Sequence, residues 1–354
     1  MAKKRLFDLP QTKAEFQICG NAFGVLNPKF YTTKQTKNNS TFRMVYFGVT
    51  FDKNSNVNIT LNGTPRESVY YYSSADKKTV SVAWKDREKV PGKGYNLIGV
   101  RLGLEKIKDE NGNLINDKKT MTEYDAAEYV SQHMKDGMSL FIKGALEFNS
   151  YTDNNGAMKK NQKFIPNQIS LCSKPVDMES EDFKPLAAWK ATIVFERIDR
   201  EKDENGKNTG RFVVDALMIG YDNIENISFI VEDNDFAKDL RDMVKPYSSI
   251  EVTGEIKCHM PTTTVKSNKL GKASVYDRVD GKMVTELILT GADLDTVDVG
   301  TYTEDKIVDA RRAIANKDKV QENFGEKKND SSKIGTDGWD NEAADNNDDD
   351  DNIW

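Results

Sequence analysis

Residues 125–148 read DAAEYVSQHMKDGMSLFIKGALEF, and residues 235–258 read DFAKDLRDMVKPYSSIEVTGEIKC. Aligned without a gap, 110 positions apart, the two stretches carry one pattern. Ala126, Val130 and Met134 in the first copy, and Phe236, Leu240 and Val244 in the second, fall at i, i+4 and i+8, one stripe of a short amphipathic helix. A cation follows in each, Lys135 or Lys245, where it suits a helix C-terminus. Alternation then takes over. Leu140, Ile142, Gly144, Leu146 and Phe148 share one face of a strand, as do Ile250, Val252, Gly254, Ile256 and Cys258. Gly144 and Gly254 occupy the same register, where a curved sheet needs a kink. A repeated helix–strand unit predicts two similar domains.

Working outward, the unit has similar neighbours in both copies. In the first half, strands are expected from Phe16 to Ala22, over 42–51, and around Asn58–Leu61, Val69–Tyr72, Val80–Trp84 and Leu97–Leu104. Val45, Phe47, Val49 and Phe51 face a core, while Phe42, Met44 and Tyr46 face away. Residues 27–41 read as a mobile loop, and Asp109-Glu110-Asn111-Gly112 as a hairpin turn. A basic arm at 149–163 precedes a closing strand, Phe164–Cys172. Residues 173–187, with two prolines and several acids, mark a boundary. In the second half Trp189, Ala191, Ile193 and Phe195 alternate, a turn at 203–206 leads to strands at 211–219 and Ile227–Val231, and a polar arm at 259–284 precedes a strand at Leu287–Leu289. Trp84 and Trp189 are assigned to the core. The first half carries about 40 extra residues ahead of its helix, counted from these spacings.

The chain of 354 residues has room for two domains. Its formal net charge is −6, but residues 330–354 hold nine acids and one lysine, which leaves residues 1–329 at +2. A short helix is expected at 303–316. From about residue 323 the composition is too polar to bury a core, so disorder is expected over 323–354. The absence of a long apolar run argues against a membrane span, and three scattered cysteines argue for a reducing, cytoplasmic setting without a disulfide framework.

Each half thus reads as three early strands, one helix and two late strands joined by an arm, the order of a five-stranded OB-fold barrel. The fold class expected is mainly β: two tandem OB-like barrels over 13–175 and 183–300, each with a helix before its fourth strand. Together with the acidic end Asp348, Asp349, Asp350, Asp351, Asn352, Ile353 and Trp354, this organisation resembles the single-stranded DNA-binding proteins, in particular the tandem versions of bacteriophages. The resemblance implies a coating protein for single-stranded DNA in replication or recombination. It also implies that Asp348, Asp349, Asp350, Asp351, Ile353 and Trp354 recruit a replication or recombination partner.

The residues supply what unspecific single-strand binding needs, aromatic platforms for bases and cations for phosphates. Candidates are Tyr46, Tyr70, Tyr71 and Tyr72 on strands, two of that triplet sharing a face. The first arm adds Tyr151, Lys159, Lys160 and Lys163. The second adds Lys266, Lys269, Lys272, Tyr276 and Arg278. Against this stands the bland fact that tyrosine favours strands and lysine-rich arms are ordinary surface. Catalysis is not expected: His133, His259, Cys19, Cys172 and Cys258 assemble neither a triad nor a zinc site, and no cofactor motif is present. A virion or scaffold β-protein is the other reading.

Overall fold

The computed structural model describes residues 5–36, 39–152, 158–203, 206–259, 262–264, 278–280 and 283–325, with backbone alone at 152, 158, 262–264, 278–280 and 318–325. The protein is mainly β, and one large sheet gathers 13 of the described strands. Its first strands are β1 (Ala14–Phe23), β2 (Tyr31–Gln35), β3 (Thr41–Asp52) and β4 (Ser55–Gly63). An insertion follows before the first helix. It holds β5 (Ser68–Ser73), β6 (Lys78–Ala83), β7 (Tyr95–Leu97), β8 (Val100–Gly103), the hairpin β9 (Lys106–Lys108) and β10 (Leu114–Asn116), and β11 (Lys119–Met121). Helix α1 (Glu123–His133) leads into β12 (Ser139–Thr152) and β13 (Met158–Leu171).

The pairings return on themselves. β1 pairs with β3, β3 with β4, β4 in parallel with β13, β13 with β12, and β12 with β1. Phe16, Ile18, Val45, Phe47, Ile59, Leu61, Leu140, Ile142 and Ile169 point into this ring and are buried. Helix α1 closes one end. Thr122 caps it by accepting a hydrogen bond from the Asp125 amide at 3.2 Å, and Ala126, Val130 and Met134 are buried as the stripe predicts.

A second ring repeats the order with β14 (Leu186–Lys202), β15 (Asn208–Ile219), β16 (Ile224–Val231), helix α2 (Asn234–Met243), β17 (Ser249–His259) and β20 (Val284–Asp298). Between β17 and β20 lie the short β18 (Thr262–Thr264) and β19 (Arg278–Asp280). β14 pairs with β15 and β17, β15 with β16, β16 in parallel with β20, and β20 with β17. Trp189 is buried and stacks on Phe229, centroids 4.8 Å apart. The two glycines sit where the repeat places them. The β12–β13 register slips at Lys143/Gly144 and the β17–β20 register at Thr253/Gly254. A Cβ on Gly144 would lie 2.0 Å from the Ile165 carbonyl oxygen, and one on Gly254 the same distance from that of Ile288. Each bulge draws two backbones together more closely than any side chain permits.

The first strands of the two rings pair with each other. β1 runs antiparallel to β14 from Ala14↔Ala191 to Cys19↔Leu186, so an approximate twofold relates the rings. The leader before β1 crosses to the second ring, where Arg5 donates to the Gly220 and Tyr221 carbonyls. Helix α3 (Glu304–Gly325) lies beside it, and Leu9, Val194, Leu217, Ile219, Tyr302, Ile307 and Ala310 form a small second core.

Four expectations change. Part of the supposed loop 27–41 is β2, which pairs with β3 from Tyr31↔Val45 to Gln35↔Thr41; its polar residues conceal a strand whose partner supplies the apolar side. Leu97–Leu104 is not one strand, because the chain changes sheets at Ile98–Gly99, β7 pairing with β5 and β8 with β13. Trp84 is only half-buried. The alternation ends at Ala83, a 3₁₀ turn begins, and the indole meets Tyr124 edge-on while Arg87 lies over it. Helix α3 also runs past residue 316, to Gly325. The expectations for 326–354 and most of 260–282 lie outside the described residues.

Candidate nucleic-acid interface

Strand alternation in the first ring turns Val45, Phe47 and Val49 inward, so Phe42, Met44, Tyr46 and Gly48 face out. Gly48 pairs with Phe23 of β1, and a Cβ there would stand 2.0 Å from the Phe23 ring, so that ring lies directly over the glycine. Phe42, Met44, Tyr46 and Phe23 therefore form one outward row along β3. At about 3.4 Å per residue it is roughly 20 Å long. Tyr46 is half-buried, and that burial raises its phenol pKa above the ordinary value.

The flanks of the row are polar without being acidic. Met44 pairs with Thr32 on one side and Asn62 on the other, Tyr46 with Thr60, and Phe42 with Lys34. From Gly24 to Gly63 there are five basic residues and one acid, Asp52. The face continues past β4. Phe164 of β13 pairs with Ile59, both inward, which leaves Lys163 on the outer side.

The β12–β13 hairpin extends beyond the ring as the arm. Tyr151 pairs with Lys159 and Glu147 with Lys163, and all four share the outer face. Lys160 pairs with Ser150 on the opposite face. There Ser150 donates to Glu225 at 2.6 Å, and Lys160 lines a cavity of about 430 Å³ against the second ring with Glu196, Arg197 and Asp215. The arm residues are thus divided: Tyr151, Lys159 and Lys163 join the outward row, and Lys160 does not.

The tyrosine triplet lies elsewhere. β5 belongs to a separate three-stranded sheet, β6-β5-β7. Tyr70 and Tyr72 are exposed on one of its faces, beside Ile98. Tyr71 turns the other way, is 3% exposed, and donates its hydroxyl to the Arg87 carbonyl at 2.6 Å. That corrects its candidacy: a buried ring with a satisfied hydroxyl is a structural anchor. Lys266, Lys269, Lys272 and Tyr276 lie outside the described residues, as does the side chain of Arg278. The acidic tip Asp348–Trp354 is outside them too.

The second ring is not equipped in the same way. Its counterparts of β3 and β4 are β15 and β16, and from Asn208 to Val231 the sequence has one basic residue and three acids. Asp215 is held by Arg197 at 2.7 Å. Arg211 bridges Glu201 at 2.7 Å and Glu286 at 2.9 Å. Further along β15, Leu217 and Ile219 are buried beneath the leader and α3. Among the described residues of β15 and β16, charges that neutralise one another and a covered apolar stretch leave little for a polyanion to bind.

Phe23, Phe42 and Met44 join the candidates only through the structure. Their signal was available. Phe42 and Met44 share the period of Tyr46, and Phe23 falls on the outward period of β1 with Cys19 and Asn21. Among the described residues, no three His, Cys, Asp or Glu side chains group to hold a metal ion. No described helix is long and apolar enough to cross a membrane.

A family model described as YorF matches residues 73–328. No curated protein matches the chain. Among solved structures, the wild-type single-stranded DNA binding protein from Thermus aquaticus is similar with a TM-score of 0.35 and 11% identity, covering 80% of this chain and 93% of that one. A deletion mutant of the same protein gives a TM-score of 0.36 at 11% identity, covering 80% and 94%.

Proposed function

The chain belongs to the YorF family, and we propose that it binds single-stranded DNA with little sequence preference, through the outer face of its first ring. One observation carries the reading: Phe42, Met44, Tyr46 and Phe23 form a continuous outward row on an acid-poor face that ends in Tyr151, Lys159 and Lys163. Bases stack on such a row whatever their identity, while phosphates follow the cations. A duplex, with its bases already stacked on each other, has nothing to offer the row.

We read each ring as a five-stranded OB-type barrel, in domains spanning about 13–175 and 183–300. The parallel contact between third and fifth strands and the helix before the fourth support that reading. In this account β15 and β16 of the second ring are chiefly scaffold, while its arm, with Lys266, Lys269, Lys272, Tyr276 and Arg278, adds further contacts to the strand. The tail serves as a tether, its acids competing with DNA phosphates at low salt and Ile353 with Trp354 docking on a replication or recombination protein. The reaction class is binding, without catalysis.

The test is a titration of labelled oligothymidine and of duplex against the intact chain at several salt concentrations. The single strand should bind more tightly, with log K falling by about 0.7 per log unit of salt for each phosphate contact. Equal or tighter binding of duplex refutes the proposal.

A further inference from the structure

Cys19 and Cys172 are 153 residues apart in sequence, yet their sulfurs are 3.0 Å apart. They do not come from neighbouring strands. Cys19 lies on β1, and Cys172 stands one residue past the end of β13, with β12 between those strands. The chain leaving β13 folds back across β12 to make the contact. The Cys172 amide donates to the Ser139 carbonyl at 2.9 Å, and the Val176 amide to the Ser139 hydroxyl at 2.9 Å. Asn21 then donates to the Val176 carbonyl at 3.1 Å. The thiols are therefore held together by a built path. Both residues are half-buried.

Their position is particular. Cys19 is the last residue of the ladder joining the rings, where it pairs with Leu186. Cys172 begins the connection 172–185 between β13 and β14. We propose that Cys19 and Cys172 are a reversible redox site, whose disulfide fastens the inter-ring connection to the strand at which the two rings meet. The third cysteine is no part of it, since the Cys258 thiol donates to the Asn56 carbonyl at 3.1 Å.

The direction of the chemistry follows from the contact. Either thiol can donate across this contact; with Cys172 as the donor the Cys19 pKa is lowered to about 7, and Cys19 is then the thiolate that attacks. The same contact raises the pKa of Cys172, which keeps its proton. With a hydroperoxide as oxidant, the Cys19 thiolate takes the terminal oxygen, the O–O bond breaks, and the released oxygen leaves as water or alcohol after protonation. Cys172 then attacks the sulfenic sulfur, the S–O bond breaks, and a second water leaves. Two thiols lose two protons and two electrons, and the peroxide is reduced to water or alcohol plus water. A small dithiol reverses the change by exchange.

The test treats the full chain with equimolar hydrogen peroxide, alkylates the remaining thiols under denaturing conditions, and maps the peptides by mass spectrometry. The expected result is a loss of two hydrogens, a peptide joining Cys19 to Cys172, and alkylation confined to Cys258. Dithiothreitol should restore all three alkylation sites. Because the bond closes a loop of 153 residues, the oxidised chain should melt roughly 5–15 °C higher than the reduced one. Cys19→Ser and Cys172→Ser should each abolish both the joined peptide and the shift, while Cys258→Ser keeps them. Should a serine variant fail to fold, the peptide map of the unaltered chain decides alone. Oxygen adducts without a joined peptide, or a disulfide between two chains, would overturn the proposal.

Discussion

Replacing Gly144 by alanine would test the logic of the fold at its narrowest point. The new methyl would lie 2.0 Å from the Ile165 carbonyl oxygen and 2.7 Å from the Pro166 Cα, both backbone atoms. No rotamer change can relieve a contact with backbone, so the β12–β13 bulge must open. Overpacking in a formed core costs about 1–3 kcal/mol, and an unyielding neighbour places this case near 3. For a unit of this size that lowers the melting temperature by roughly 6–12 °C. Gly254→Ala meets the Ile288 carbonyl oxygen at 2.0 Å and should cost a similar amount. Gly112→Ala separates clash from backbone strain: its φ is +81° with nothing within 4 Å, so only about 1 kcal/mol of left-handed strain applies. Urea titrations followed by tryptophan fluorescence measure all three. Losses under 1 kcal/mol at both bulges, or a larger loss at Gly112, would refute the argument from backbone proximity.

Other expectations concern the interface and its surroundings. Tyr46→Ala and Phe23→Ala should each weaken oligothymidine binding roughly 5- to 150-fold, the value of one stacked base, in an anisotropy titration. Tyr71→Phe should leave that affinity unchanged while costing about 1 kcal/mol of stability, from the lost bond to the Arg87 carbonyl. Lys159→Gln and Lys163→Gln should each reduce the salt slope by about 0.7, with Lys160→Gln changing it less, read from affinities at four salt concentrations. Arg211, by its hydrogen bonds, holds the Glu201 carboxyl below its usual pKa. A depressed carboxylate stabilises the fold above its unfolded pKa of about 4.3, and that contribution is lost as pH falls through the folded value. Arg211→Met should therefore destabilise the chain by about 1–2 kcal/mol at pH 7 and by less near pH 3, compared through urea midpoints.

The repeated unit was legible because both of its periods survive in each copy. Val130 and Leu240, Ile142 and Val252, and Gly144 and Gly254 occupy matched places whose burial one ring geometry dictates. What escaped was set by partners distant in sequence. β2 has no apolar period of its own and is a strand because Val45 and Met44 lie beside it. The division of the insertion between two sheets depends on where β13 passes, which local pattern does not encode. In the candidate site, Tyr46 was found by alternation alone. The outward period of Phe23 is legible in β1, but its place in the row comes from the pairing of β1 with β3 at Gly48, and adjacent lysines on a strand face opposite sides, which separates Lys160 from Lys159 and Lys163. The proximity of Cys19 and Cys172 has no local signal at all, since it arises from the chain folding back after β13.

Under the proposed function, one outward row on the first ring receives the bases. Photo-crosslinking reads it directly, with a bromodeoxyuridine-substituted single strand bound to the intact chain, irradiated, and the attached peptides sequenced. Attachment is expected at Phe23, Phe42, Met44 or Tyr46, with Tyr151 as a further site, and none on β15 or β16. Attachment mainly on β15 and β16, or on Tyr70 and Tyr72 alone, would contradict it.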